Sequence, residues 1–185
     1  MPLSEEKIRK LKIGDKIELS GTIFTARDKA HLYLLESDEL KEKLSNGIIY
    51  HCGPIVKKGV FGDKVIAAGP TTSERLSLYA PEVIKKYKIK AIIGKGGMDK
   101  RTLQAMKKYG CVYLAAIGGV GALIASSIKK VKNVYKKEFG MPEAIYELEI
   151  EDMALIVAMD SKGRSIYEDV LKDSEEAYRK LLGKQ

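Results

Sequence analysis

Two arginines, a lysine and a threonine carry the chemistry this sequence offers: Arg27, Arg75, Lys95 and Thr71. Each stands where an apolar run gives way to a turn. Guanidinium groups bind carboxylates in bidentate fashion, and lysine adds a compact point charge. In α/β sheets ligands bind at the ends of strands, so four such residues at strand ends point to one anion site. Three cations and one hydroxyl suit a small dicarboxylate better than a nucleotide, because no base pocket or phosphate loop is evident.

Glycine-rich turns carry three of these four residues or stand near them. In Ala67-Ala68-Gly69-Pro70-Thr71-Thr72-Ser73-Glu74-Arg75, Pro70 discourages continuation of the strand. Thr71, Thr72 and Ser73 then fall where N-cap hydroxyls meet free helix amides, with Arg75 about one turn in. The same residues would also make an ordinary cap with a surface arginine. In Ile92-Ile93-Gly94-Lys95-Gly96-Gly97-Met98-Asp99, three glycines allow close backbone approach around Lys95. A strand-to-helix turn that needs positive φ explains them equally well, and the run lacks the Gly-x-x-x-x-Gly-Lys-Ser/Thr spacing of a phosphate loop. Gly118-Gly119-Val120-Gly121 fails the dinucleotide fingerprint, because Ile124 stands where Gly or Ala is needed; helix–sheet packing is the better account. Thr25-Ala26-Arg27-Asp28-Lys29-Ala30-His31 places an arginine at the end of a long strand beside Asp28 and His31. Asp28 as a helix cap, a solvated Arg27 and a structural His31 form the plainer reading.

The elements that position these residues follow from hydrophobic period. A capped helix is predicted over residues 4–11 and an alternating strand over 16–26. Residues 28–44 read as one helix, 48–52 and 64–68 as short strands, and 73–87 as helical with Pro81 opening a second segment. Strands that are apolar but for Lys90 fall at 89–93 and 111–117, around a helix at 99–109 that Gly110 stops. A short helix at 121–127, long strands at 128–139 and 144–158 and a terminal helix at about 173–182 complete the chain. Apolar strands separated by helices give an α/β fold with a sheet covered on both faces. The long alternating strands at the two ends make the sheet mixed or add a second β layer. The 185 residues are expected to form one domain, 1–185.

Composition narrows the function classes. Cys52 and Cys111 are the two cysteines, too few for a secreted disulfide framework and without the spacing of a metal or iron–sulfur site. No signal peptide is legible at the start, and no apolar run approaches the ~18 residues of a membrane span. The expected location is the cytoplasm. The net charge of +8 comes from scattered lysines with no interleaved stacking aromatics, which argues against nucleic acid. Two Asn and two Gln beside abundant Lys and Glu fit a thermophile.

The motifs around Arg27, Thr71 and Lys95 resemble the signatures of class I, iron–sulfur-dependent fumarate hydratases. Gly118-Gly119 and Gly140-Met141-Pro142-Glu143-Ala144-Ile145-Tyr146 are similar to that family as well. The likeness runs from about Gly14 to Tyr167, and it extends to L-tartrate dehydratase. It fits the C-terminal domain of single-chain enzymes and the separate β subunit of two-subunit ones. The resemblance implies a swivelling β/β/α domain with a mixed sheet and helices. It implies a fumarase-type α subunit whose three cysteines hold a 4Fe–4S cluster, with no metal on this chain, and homodimerisation within a heterotetramer. It implies reversible hydration of fumarate to L-malate in the tricarboxylic acid cycle, and no activity without the partner. By the same resemblance Arg27, Arg75 and Lys95 bind the substrate carboxylates, and Thr71 takes or relays the C3 proton. The partner's iron would polarise the C2 hydroxyl. Asp28, His31, Gly94, Gly96 and Gly97 would support them. A stand-alone anion- or nucleic-acid-binding module is the reading of another class, marked by steep salt dependence.

Overall fold

A computed structural model describes residues 4–60 and 62–183. Its elements follow the chain as α1 (Glu5–Lys10), β1 (Lys16–Thr25), α2 (Asp28–Glu36), α3 (Lys41–Leu44), β2 (Ile48–Tyr50), β3 (Ile55–Lys57) and β4 (Lys64–Ala67). A 3₁₀ segment (Glu74–Leu78) leads into α4 (Ala80–Tyr87), β5 (Ala91–Gly94), α5 (Lys100–Tyr109), β6 (Val112–Ala115) and α6 (Gly121–Ser126). Then come β7 (Ile128–Tyr135), a 3₁₀ turn (Lys137–Phe139), β8 (Ile145–Met159) and α7 (Ile166–Leu181). The fold is α/β with a mixed sheet.

The six-stranded sheet runs β1-β2-β5-β6-β8-β7, and β8 also pairs with β1. Strands β1, β2, β5 and β6 are mutually parallel, while β8 is antiparallel to β1, β6 and β7. The 15-residue β8 is long enough to serve three neighbours: residues 145–150 pair with β7, 147–156 with β1, and 156–159 with β6. The pairing β1-β2-β5-β6-β8 therefore closes back on β1. One long strand thus makes the sheet mixed, and β3 with β4 forms a separate hairpin.

The short parallel strands are buried on both faces, which is why they read as continuous apolar runs. Alternate residues go to opposite cores. Ile49, Ile92 and Tyr113 pack under α2, α4 and α5 with Leu34, Val83, Ile84 and Met106. Ile48, Tyr50, Ala91, Ile93, Val112 and Leu114 face the other way, toward Leu19, Ile23, Leu148 and Leu155.

Several boundaries differ from expectation for local reasons. The helix predicted over 28–44 breaks after Glu36. Lys86 Nζ and Tyr87 Oη reach across from α4 and donate to the carbonyls of Leu34 and Ser37, at 2.8–3.0 Å, so the last turn of α2 is capped from outside. The strand predicted over 111–117 stops at Ala115 because its neighbour β5 ends at Gly94. The strand over 128–139 ends at Tyr135, since Lys136 takes left-handed φ 54°. The terminal helix begins at Ile166, earlier than 173. Asp160 Oδ1 accepts the amides of Lys162 and Arg164, and this tight turn delivers the chain straight into α7. The strand at Ile55–Lys57 was not foreseen; three residues carry no readable period. Among the described residues no helix is long and apolar enough to cross a membrane.

Candidate active site

Because β1, β2, β5 and β6 are parallel, their C-terminal ends share one edge, and the chain visits that edge once more at residues 70–73, between β4 and β5. Pro70 bridges Cys52, and Thr72 bridges Lys95 in parallel fashion. The Thr71 amide donates to the His51 carbonyl at 2.8 Å, and the Ser73 amide donates to the Lys95 carbonyl at 2.9 Å. Thr71 is thus held between the ends of β2 and β5 as a short extension of the sheet.

The three hydroxyls do not cap a helix, contrary to expectation. Ser73 occupies the cap position of the 3₁₀ segment with αR backbone and no side-chain cap bond. Its side chain is fully buried. The Thr71 hydroxyl donates to the His51 carbonyl at 3.1 Å, and Thr72 is exposed. A segment drawn into sheet pairing points its side chains by strand alternation, and no free helix amides are presented to them.

The cations converge on the same edge. Arg75 Nε and Nη2 donate to the two oxygens of Asp28 at 3.2 and 3.1 Å, which ties the 3₁₀ segment to the start of α2. Arg27 immediately precedes Asp28 and turns to a different acid. Its Nε lies 3.4 Å from Glu143 Oε1, both side chains being mostly buried. Glu143 also accepts the Lys29 amide at 2.9 Å. Arg27 lies against Gly53, where a Cβ would meet the guanidinium at 3.0 Å. Lys95 is half-buried beside Gly118, and among the described residues no carboxylate lies within ion-pair distance of its Nζ. Arg27, Thr71, Arg75 and Lys95 therefore all stand at one sheet edge, with Asp28 paired to Arg75 there.

His31 is fully buried, and its Nδ1 donates to the Arg27 carbonyl at 2.9 Å. Burial lowers its pKa to about 4, against the opposing pull of the Arg27 carbonyl and the Asp28 charge. Burial, with His31 and Arg75 nearby, holds His51 well below its ordinary value too. The unfolded His31 imidazole, at 6.5, binds protons that the folded one refuses. Its stability contribution is complete above pH 6.5 and is lost as pH falls toward 4. His31 alone accounts for roughly 3 kcal/mol of that loss. We expect urea denaturation to report lower stability at about pH 5 than at neutrality, and His31→Phe to flatten the slope. A wild-type stability independent of pH over this window would contradict a neutral buried His31.

Packing accounts for two of the turn glycines. A Cβ on Gly94 would lie 2.0 Å from Ser73 Oγ, and one on Gly97 would lie 2.5 Å from the Tyr167 ring. Gly96 is exposed with φ +82°. Glu143 and His51 were not singled out from sequence. Each had a signal: Glu143 lies in the Gly140–Tyr146 stretch, and His51 ends an apolar parallel strand. The clefts lined by Val56, Val134, Met141 and Tyr146, and by Ile17, Ala115, Ile117 and Ile156, contain none of the cluster residues.

An iron–sulfur cluster does not fit this chain. Cys52 and Cys111 are both buried, and burial raises their thiol pKa values, to about 12 for Cys52. Among the described residues no group of three His, Cys, Asp or Glu side chains is placed to hold a metal ion.

Comparison with known proteins adds a family to this geometry. Residues 1–170 match the family model described as "Fumarase C-terminus". A Methanocaldococcus jannaschii protein, provisionally named L(+)-tartrate dehydratase subunit beta, is 49% identical over 98% of this chain and 96% of its own length. A Geobacillus stearothermophilus protein, provisionally named fumarate hydratase class I, is 47% identical over 95% of this chain, which spans 34% of that protein. The L(+)-tartrate dehydratase subunit beta of Escherichia coli K12 is 32% identical over 89% of this chain and 83% of its own.

Proposed function

This chain belongs to the fumarase C-terminus family as a hydro-lyase β subunit, and we propose that with a cluster-bearing α subunit it forms a class I fumarate hydratase interconverting fumarate and L-malate. The observation that carries this reading is the placement of Arg27, Arg75, Lys95 and Thr71 at one sheet edge. Three cations match two carboxylates. The α subunit, the 4Fe–4S cluster it carries, homodimerisation within a heterotetramer and a cytoplasmic location all form part of this proposal. The names of the Methanocaldococcus and Escherichia coli relatives support L-tartrate as the second reading.

On this chain, Arg27, Arg75 and Lys95 neutralise the carboxylates. They also stabilise the negative charge that develops on one of them as the C3–H bond breaks. Glu143 and Asp28 hold the two guanidinium groups, each in a different direction. Thr71 takes or relays the C3 proton. Its own hydrogen is engaged by the His51 carbonyl, so the lone pairs of Oγ1 are left to accept. A free hydroxyl is a weak base at neutral pH, so the transfer needs the neighbouring cations or an onward acceptor from the partner. The partner handles the departing hydroxyl.

The isolated chain is expected to fold yet show no hydratase activity. Co-expression with the candidate α subunit, anaerobic cluster reconstitution and assays with malate and L-tartrate in parallel check this. Turnover by the pure chain without partner or metal would sink the shared-site reading, and turnover of L-tartrate alone would replace the fumarate assignment.

A further inference from the structure

We propose that Ser73 is a positioning residue, whose buried hydroxyl, bound to His51 and Tyr113, fixes the placement of Thr71 and Lys95. The inference rests on the functional reading above for its consequence in catalysis, and on geometry alone for its consequence in structure. Of the three consecutive hydroxyls, Thr72 faces solvent and Thr71 lies at the cationic edge. Ser73 turns into the interior and is fully buried. Tyr113 Oη, from β6, donates to Ser73 Oγ at 2.9 Å. Ser73 Oγ lies 2.8 Å from His51 Nδ1, and in the Nε2–H tautomer the single Ser73 hydrogen is donated to that nitrogen. All three side chains are completely buried.

This chain of bonds reaches the reacting groups through the backbone. Ser73 Oγ fixes the His51 ring, and the His51 carbonyl accepts both the amide and the hydroxyl of Thr71. The Ser73 amide holds the Lys95 carbonyl, and the Lys95 amide approaches the Thr71 carbonyl at 3.4 Å. Gly94 leaves room for the hydroxyl, since any larger residue there would collide with it. Ser73 thereby ties β6 and the end of β2, through its hydroxyl, and the end of β5, through its amide, to the segment that carries Thr71. A purely structural role would be served as well by an apolar side chain of the same size. Ser73 Oγ, bonded to both Tyr113 and His51 Nδ1, favours one arrangement of these side chains, since a buried polar group is costly to leave unpaired; His51 Nε2 has no partner among the described residues.

The test compares Ser73→Ala and Tyr113→Phe with Val83→Ala, which loosens the helix layer without touching the edge. In the free chain we expect amide hydrogen exchange at Thr71 and Lys95 to rise ~10-fold in Ser73→Ala, as for one lost hydrogen bond. Exchange at the Val157 amide, bound to Asp15 in the body of the sheet, should rise far less. Val83→Ala should move all three together. The His51 ring nitrogens should show a changed protonation pattern in the ¹⁵N spectrum of Ser73→Ala. In the reconstituted enzyme, kcat should fall with little change in KM. The primary isotope effect, with deuterium on the carbon that loses its proton, should increase, because misplacing Thr71 slows that step. Uniform exchange changes in Ser73→Ala, matching those of Val83→Ala, would overturn the inference. A Thr71→Ala enzyme with near-normal kcat would instead remove the proton-transfer reading, while selective loosening at Thr71 and Lys95 left the positioning role standing.

Discussion

Thr71→Ala in the reconstituted enzyme is expected to lower kcat by ~10²–10⁴, the range for general acid–base groups. KM should change little, because a neutral hydroxyl contributes only ~0.5–1.5 kcal/mol. Thr71→Ser keeps the hydroxyl within reach of the His51 carbonyl and should retain much of the activity. Thr72→Ala removes an exposed hydroxyl and should behave like wild type, since only the Thr72 backbone pairs with Lys95. The measurement is kcat beside the thermal midpoint for all three variants. A Thr71→Ala enzyme with intact kcat and a lowered midpoint would reduce Thr71 to a structural hydroxyl and leave Arg27, Arg75 and Lys95 as a binding clamp.

Lys95→Ala should lower kcat/KM by roughly 30-fold or more, equivalent to ~2–5 kcal/mol for leaving one charge of a desolvated pair without its partner. Lys95 has no carboxylate neighbour among the described residues, so on the proposed function the loss would fall on its contact with substrate. Arg75→Ala should fall in the same range for a second reason: it frees the Asp28 carboxylate beside Arg27 and adds an unwanted negative charge to the site. Stability should change far less, because the Arg75–Asp28 pair is about two-fifths exposed on both sides. Arg179→Ala, on the exposed stretch of α7, is the control and should leave kcat/KM unchanged. Equal losses at Lys95, Arg75 and Arg179 would break the assignment of the site.

The sequence by itself determined the type of most elements, and it singled out four residues that the fold places at one sheet edge. Apolar runs at Ile48–Tyr50, Ala91–Gly94 and Val112–Ala115 are strands because they are buried on both faces, and that burial is written in composition. Arg27, Thr71, Arg75 and Lys95 stood out because each lies at a strand end or in the turn that follows one. Tertiary structure alone decided what those side chains touch. Adjacent Arg27 and Asp28 are not each other's partners: one meets Glu143 and the other Arg75, over a hundred residues and 47 residues away in sequence. The end of α2 was fixed by Lys86 and Tyr87 of a later helix, which no local period could announce. The conversion of Thr71, Thr72 and Ser73 from a supposed helix cap into a strand extension required the ends of β2 and β5 to lie side by side. That juxtaposition is a long-range pairing, whereas hydrophobic period and turn chemistry speak only for neighbours along the chain.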